Sequence, residues 1–299
     1  MKYDLGGSFM TTRLMRYKSA SAAWFLAIAL GVGFLSGTKA KADNFDLSHY
    51  RMTFNETFHS LDASAYGPGG QWIAHTPWNG DFGNNSFDNP GPHGPFKTSP
   101  QGLTITAYKD GQGHWHAGLL CSWVPTPNGP RGFNQRFGYF EMKAKLPDGP
   151  GVWPAFWLVG TSKTNSPEID VMEYYGAFRS SYRITEHVWN HGQSVLGRSL
   201  AIDVPAGSLS SGYNTFGVLV EPKTTSFYLN RKEVWSTPTP PEYTQPLYIL
   251  VDLAIGGGWP YDKLTSPQRM EVEYIRAYQR DEPLKHDDDR SNETKATAF

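Results

Sequence analysis

The chain has 299 residues, with 27 Lys and Arg against 28 Asp and Glu, a formal net charge of −1. That balance excludes the basic surplus that nucleic acid or an acidic membrane surface demands, and the single cysteine, Cys121, excludes an internal disulfide framework or a thiolate metal cluster. High glycine (31), proline (22) and aromatic content (14%) with low charge (18%) favours many short strands joined by tight turns over helices.

In chain order, the first feature is an export signal over residues 1–42. Arg13, Arg16 and Lys18 form its basic region, Ala22 to Leu35 an apolar run too short for a comfortable membrane span, and Ala40-Lys41-Ala42 a small-x-small cleavage site. Met10 is an alternative start, and an uncleaved anchor is the competing reading. The signal predicts a secreted or periplasmic protein, free of the membrane after cleavage.

Residues 43–280 read as one large domain. Phe54 to Phe58 alternates apolar and polar as a first strand. Tyr66 to Pro100 is rich in Gly, Pro, Asn and Trp and too long for an ordinary connection, which predicts binding loops. Strand patterns follow at Leu103–Tyr108, Phe137–Leu146, Ala155–Val159, Glu168–Tyr174, Ile184–Trp189, Thr215–Glu221, Thr225–Leu229, Leu247–Ala254 and Met270–Tyr278, each bounded by turn residues. Short strands throughout predict an all-β antiparallel sandwich, one of whose sheets carries a groove. The charged segment 281–299 reads as a disordered tail. Ten tryptophans exceed what such a core needs, and an exposed indole stacks well on the C–H face of a sugar.

Ser166-Pro-Glu-Ile-Asp-Val-Met-Glu-Tyr-Tyr-Gly176 places three carboxylates within six residues of an otherwise buried strand. Burying charge is costly, so such a strand carries acids for a partner or a task. Glu168 and Asp170 share a face of a regular strand, whereas Glu173, five residues from Glu168, points the other way. One extra residue at Val171-Met172, a β-bulge, would bring Glu173 back beside them. Two glutamates on one face with an aspartate between them suit glycoside hydrolysis, which needs a paired acid and nucleophile.

Glu168-Ile-Asp-Val-Met-Glu173 resembles the Glu-x-Asp-x-x-Glu signature of glycoside hydrolase family 16. Phe137-Gly-Tyr-Phe-Glu141, Gly151-Val-Trp-Pro-Ala-Phe-Trp-Leu158, Leu250-Val-Asp-Leu-Ala-Ile-Gly-Gly-Gly-Trp-Pro260 and Glu271-Val-Glu-Tyr-Ile-Arg-Ala-Tyr278 are similar to further segments of that family, in order. The resemblance implies a concanavalin A-like jelly roll and retaining endo-hydrolysis, with Glu168 as ionised nucleophile, Glu173 as protonated acid/base and Asp170 tuning both. It also implies a polysaccharide substrate bound by a monomer: a β-1,3- or mixed-linkage β-glucan first, a bacterial exopolysaccharide next. Trp153, Trp157, Trp189 and Trp259 are expected along the groove, with His187 and Arg136 (beside Gln135) as polar substrate contacts. A core place is the alternative for Trp153 and Trp157, and a structural histidine for His187. Catalysis needs no cofactor; Glu56 and Glu273 match the places of a structural calcium, although the family's last-strand ligand is an aspartate. Asp252 also stands where the family commonly has asparagine. A non-catalytic lectin on the same fold lacks the need for an acid pair; a transglycosylase would use the same residues.

Overall fold

The computed structural model describes residues 44–281 apart from 68, 69, 79, 125, 127–129 and 163. The export signal and, from 282 on, the charged tail lie outside the described residues. In chain order the strands are β1 (Tyr50–Glu56), β2 (Ala63–Ser64), β3 (Trp72–Ile73), β4 (Ser86–Phe87), β5 (Phe96–Ser99), β6 (Gly102–Lys109), β7 (Trp115–Ala117), β8 (Leu119–Cys121), β9 (Trp123–Val124) and β10 (Arg131–Gly132). The longer strands follow: β11 (Gly138–Lys145), β12 (Val152–Gly160), β13 (Ser166–Glu173), β14 (Ser181–Asn190), β15 (Gln193–Asp203), then the single turn α1 (Ser208–Ser211), β16 (Asn214–Val220), β17 (Thr224–Leu229), β18 (Lys232–Pro238), β19 (Leu247–Ile255) and β20 (Gln268–Arg280).

Among the described residues these form two large, mainly antiparallel sheets, in which only the short pairs β2–β3 and β4–β7 are parallel. One runs β18-β17-β16-β11-β20-β6-β7-β4, with β1 on β20 and β5 on β6; the other runs β15-β14-β13-β12-β19-β8-β3-β2. The sandwich expected from the pattern of short strands, and the jelly roll implied by the resemblance, are therefore present. Alternation within each strand builds the core between the sheets. Phe140, Met142 and Ala144 of β11 point inward, as do Ile169 and Met172 of β13, all fully buried. Each such large side chain contributes roughly 1.5–3 kcal/mol by leaving water.

The other face of β11 is covered as well. Tyr139, Leu219, Tyr228 and Tyr278 cluster under Phe45, Leu47 and Tyr50, so the segment before β1 closes that side of the sheet. Glu141 lies fully buried there. Arg231 grips it through two hydrogen bonds of 2.9 Å each, and the Tyr139 and Tyr274 hydroxyls donate to it at 3.0 and 2.9 Å.

Besides the short strands β2–β5 and β7–β10, which carry no predicted strand, three longer elements depart from expectation. β1 spans Tyr50–Glu56 and stops before Phe58, whose φ of 56° cannot continue a strand. β15 and β18 carry no predicted strand; both are edge strands, mostly solvated along their length, so no apolar alternation marks them. His187 and His191, four apart, stand on a strand and in the following turn, where His191 has φ 49°.

Candidate active site

The acids sit on β13, third from the edge of the second sheet. Glu168 pairs with His187 on β14 and Val159 on β12, and Asp170 with Thr185 and Trp157. Beyond Asp170 the register slips: Glu173 pairs with Arg183 and Ala155, so Val171 and Met172 oppose one residue on each neighbour. This is the bulge the spacing of the acids requires. Both bulge residues are buried, which anchors it in the core, and Glu173 returns to the face of Glu168 and Asp170.

Each acid has a distinct setting. Glu173 accepts hydrogen bonds on Oε1 from Trp153 Nε1 (3.1 Å) and the Tyr175 hydroxyl (2.9 Å), while Oε2 faces the Thr185 hydroxyl at 3.4 Å. Asp170 is buried, and its carboxyl is held well above the ordinary carboxylate range by burial first, then by the charges of Glu173, Glu168 and Asp252. Glu168 is pushed up to about 7, again by burial first and then by Glu173. The indole of Trp189 beside it favours the ionised form without completing a full hydrogen bond. The ionised Glu168 expected from the resemblance is thus not what burial favours in the empty groove. Glu168 and Asp170 therefore both hold their protons more tightly than free carboxyls do.

His187 Nε2 stands 3.7 Å from Asp170 Oδ2, and burial lowers the imidazole's affinity for a proton. Tyr243, presented by the turn Pro241–Thr244, directs its hydroxyl at the carbonyls of Glu168 (3.1 Å) and His187 (3.3 Å), tying β13 to β14 from beneath. Donor atoms of Glu168, Asp170 and His187 lie within 4.8 Å of one another, close enough to share a proton or a cation.

Aromatic residues continue from Glu173. Trp153 is half-buried and stacks on Tyr175 at 5.8 Å. Gly257, with φ 60°, passes so near that a Cβ there would meet Trp153 at 2.7 Å and Tyr175 at 2.8 Å, which is why the Gly-Gly-Gly turn precedes Trp259. Trp259 is 41% exposed and meets the exposed Phe178 edge to face at 4.6 Å. Trp189 is half-buried beside His187.

Trp157 differs from expectation. It is only 6% exposed, covered by Phe82 and Trp78 of the long loop region, and its Nε1 donates to Asp252 Oδ1 at 2.9 Å. It is a support rather than an open sugar platform. Arg136 is exposed with its guanidinium over Phe137, and no contact joins it to the acids. Its neighbour Gln135 is spent on Thr53 and on the carbonyls of Phe137 and Tyr278. Glu56 and Glu273 each have protein partners. Glu56 accepts from the Phe58 amide, Gln71 and Trp72, whereas Glu273 pairs with Lys143 at 2.8 Å.

Four positions in the site carry no sequence prediction of their own: Tyr175, Thr185, Tyr243 and Asp252. Tyr175 follows Glu173 by two residues, a spacing that returns to the same face. Asp252 is marked only by standing in place of asparagine. It is fully buried, bonded to Trp157 and to the Ala254 amide (3.2 Å), and burial holds its carboxyl far above the ordinary range, towards the neutral form.

A model of the glycosyl hydrolases family 16 matches residues 96–276. The chain belongs to this family. Among family 16 and related proteins, it is 31% identical over 261 residues to endo-1,3-1,4-beta-glycanase ExsH of Rhizobium meliloti (strain 1021), covering 80% of this chain and 54% of ExsH. With EglC of the same organism, also an endo-1,3-1,4-beta-glycanase, identity is 30%, with 79% and 53% covered. The chain therefore spans about half the length of these curated relatives. The family 16 sandwich also superposes on the non-specific endo-beta-1,3(4)-glucanase SCLam (TM-score 0.65, 19% identity, 80% of this chain and 94% of that one). It superposes likewise on the laminarinase catalytic domain from Thermotoga maritima MSB8 (TM-score 0.61, 20% identity, 77% and 98%).

Proposed function

We propose that this chain is an exported retaining endo-glycosidase that cleaves β-linked polysaccharide, a β-1,3- or mixed β-1,3-1,4-glucan or a related bacterial exopolysaccharide, by double displacement. The observation that carries the reading is the bulge at Val171-Met172, which gathers Glu168, Asp170 and Glu173 on one face as a coupled set. Family membership and the endo-1,3-1,4-beta-glycanase relatives support the substrate class.

In this reading Glu173 protonates the glycosidic oxygen as Glu168 attacks the anomeric carbon, giving a covalent glycosyl-enzyme. Glu173, now ionised, takes a proton from water, which displaces Glu168 and restores both groups. The two donors on Glu173 Oε1 fix its rotamer and leave Oε2 to carry the proton. Glu168 holds a proton readily in the empty groove, so productive binding has to move that proton within the set. Positive charge developing at the anomeric carbon favours the Glu168 carboxylate and drives the transfer. Asp170, buried between the two, is held above the ordinary carboxylate range and gives the site a second group that retains a proton. Trp153 supplies a sugar-stacking face beside the acid, and Trp259 extends the aromatic surface away from it.

The test is reducing-sugar release from a panel of laminarin, mixed-linkage glucan and acidic bacterial exopolysaccharide. Wild-type protein is expected to release oligosaccharides from at least one. Glu168→Gln is expected to lose at least ~1,000-fold in rate with an unchanged far-UV spectrum. Binding without cleavage of every polymer would leave a lectin, and a fully active Glu168→Gln variant would overturn the assignment.

A further inference from the structure

A cavity lies away from the acids, on the outer face of the first sheet. It encloses about 700 Å³ between the stretch Pro92–Phe96 and strands β5, β6 and β20. Leu103, Ile105 and Ala107 of β6 point into the core, so Thr104, Thr106 and Tyr108 present the opposite side. Register then aligns Lys97 of β5 with Thr104, and Arg269 of β20 with Thr106. The acids open from the other sheet, with the core between.

Charge separates this cavity from the rest of its sheet. Elsewhere on β11 and β20 three outward cations are ion-paired, Lys143 with Glu273, Lys145 with Glu271 and Arg280 with Glu221, while Arg276 bonds the neutral Asn55 side chain. His93, Lys97 and Arg269 line the cavity, are exposed, and make no ion pair among the described residues. The lining contains no carboxylate. Two acids on neighbouring positions are already engaged: Glu271, which pairs with Thr104, by Lys145 and the Tyr213 hydroxyl, and Asp88 by Tyr108 and His116. Lys97 and Arg269, with the His93 imidazole, rim a floor of Thr and Ser hydroxyls, in a volume within the usual range of ligand sites.

We propose that this cavity is a second saccharide site, which holds a polysaccharide segment bearing anionic sugars. Arg269 offers a planar fork to a carboxylate or sulfate, Lys97 and His93 offer point donors, and Thr104, Thr106 and Ser99 hydrogen-bond sugar hydroxyls. Neutral glucan lacks the anionic group and gains little there. A polymer held on the outer sheet raises the local concentration of chain available to the acids on the other face. The proposal goes beyond hydrolysis and is read without it.

The experiment is native-gel retardation of the full chain in polygalacturonate, dextran sulfate, neutral laminarin and polyglutamate. Wild type is expected to be slowed by polygalacturonate, dextran sulfate or both, the pattern assigning carboxylated or sulfated sugars. Lys97→Ala/Arg269→Ala is expected to bind that polymer at least tenfold more weakly, with its hydrolysis of neutral glucan unchanged, and salt is expected to weaken retention. No retardation by either acidic polysaccharide, equal retardation of the double variant, or equal retardation by polyglutamate would each overturn the proposal.

Discussion

At the scale of single residues, the site is a contest between burial and charge. Glu168 has an ordinary value of 4.5 and is pushed up to about 7, mainly by burial. Below pH 4.5 the folded and unfolded chains both hold the proton, and burial carries no ionic cost. Between 4.5 and about 7 the unfolded chain releases its proton first, so stability falls with rising pH; above 7 the loss is constant. Glu168→Gln has no such loss. The variant is expected to match wild type in Tm near pH 4.5 and to exceed it by several degrees at pH 8, the gap reflecting up to about 3 kcal/mol. Equal Tm differences at both pH values would mean that Glu168 is ionised without cost. Tyr175 supplies one of two donors to Glu173 Oε1. Tyr175→Phe is expected to lower kcat roughly tenfold with little change in KM, read from initial rates on the best polysaccharide of the panel; an unchanged kcat would remove the hydroxyl from the mechanism. The acids were legible because buried charge is anomalous in any strand. Asp252 was not, because one carboxylate in an apolar run gives no sign that an indole from the next strand will meet it.

At the scale of elements, parity decides. Two residues, Val171 and Met172, lie between Asp170 and Glu173 on β13 against one, Ile184, between Thr185 and Arg183 on β14, and that mismatch turns an odd spacing into a shared face. Strands with one buried face were readable for the same reason, since alternation records the core. β15 and β18 were not, because edge strands pair through the backbone and their side chains stay largely wet. Trp157 was misassigned for a related reason. It faces the same side as the acids, but Phe82 and Trp78 lie over it, and loop packing leaves no periodic mark. The outward face of β11 offers an element-scale prediction. Arg231→Ala leaves the Glu141 carboxylate buried with only two tyrosine hydroxyls, which is expected to cost about 3 kcal/mol and lower Tm by on the order of 10 °C. Arg231→Lys is expected to recover only part, because the planar fork is lost. Thermal melts decide it, and an unchanged Tm would show that the pair adds nothing.

At the scale of the whole molecule, both sheets serve one arrangement: a buried layer of apolar residues that holds the acids on one open face. The long loop region is secured to the sandwich partly by ionic contacts. His116 on β7 bonds Asp88 at 2.9 Å and faces Asp110 at 3.5 Å, and these partners raise its pKa above the ordinary value of 6.5. A raised histidine contributes stability that is complete below pH 6.5 and lost as pH climbs through its folded value. His116→Gln should therefore lower Tm more at pH 5.5 than at pH 9, by calorimetry at both values; a pH-independent difference would assign His116 to packing alone. Fold class and catalytic strand were legible because they follow from periodicity and from one costly run of charge. The outer-sheet cavity was not, since Lys97 and Arg269 are 172 positions apart and meet only through the pairing of β5, β6 and β20.

The central claim is that Glu168 and Glu173 work as nucleophile and acid/base on one face of β13. Proton NMR of the first sugar released from a β-glucan by wild type and by Glu168→Gln tests it most directly. A β-anomer appearing first with wild type, and no product from the folded variant, is the predicted result; an α-anomer appearing first, or full turnover by Glu168→Gln, would contradict it.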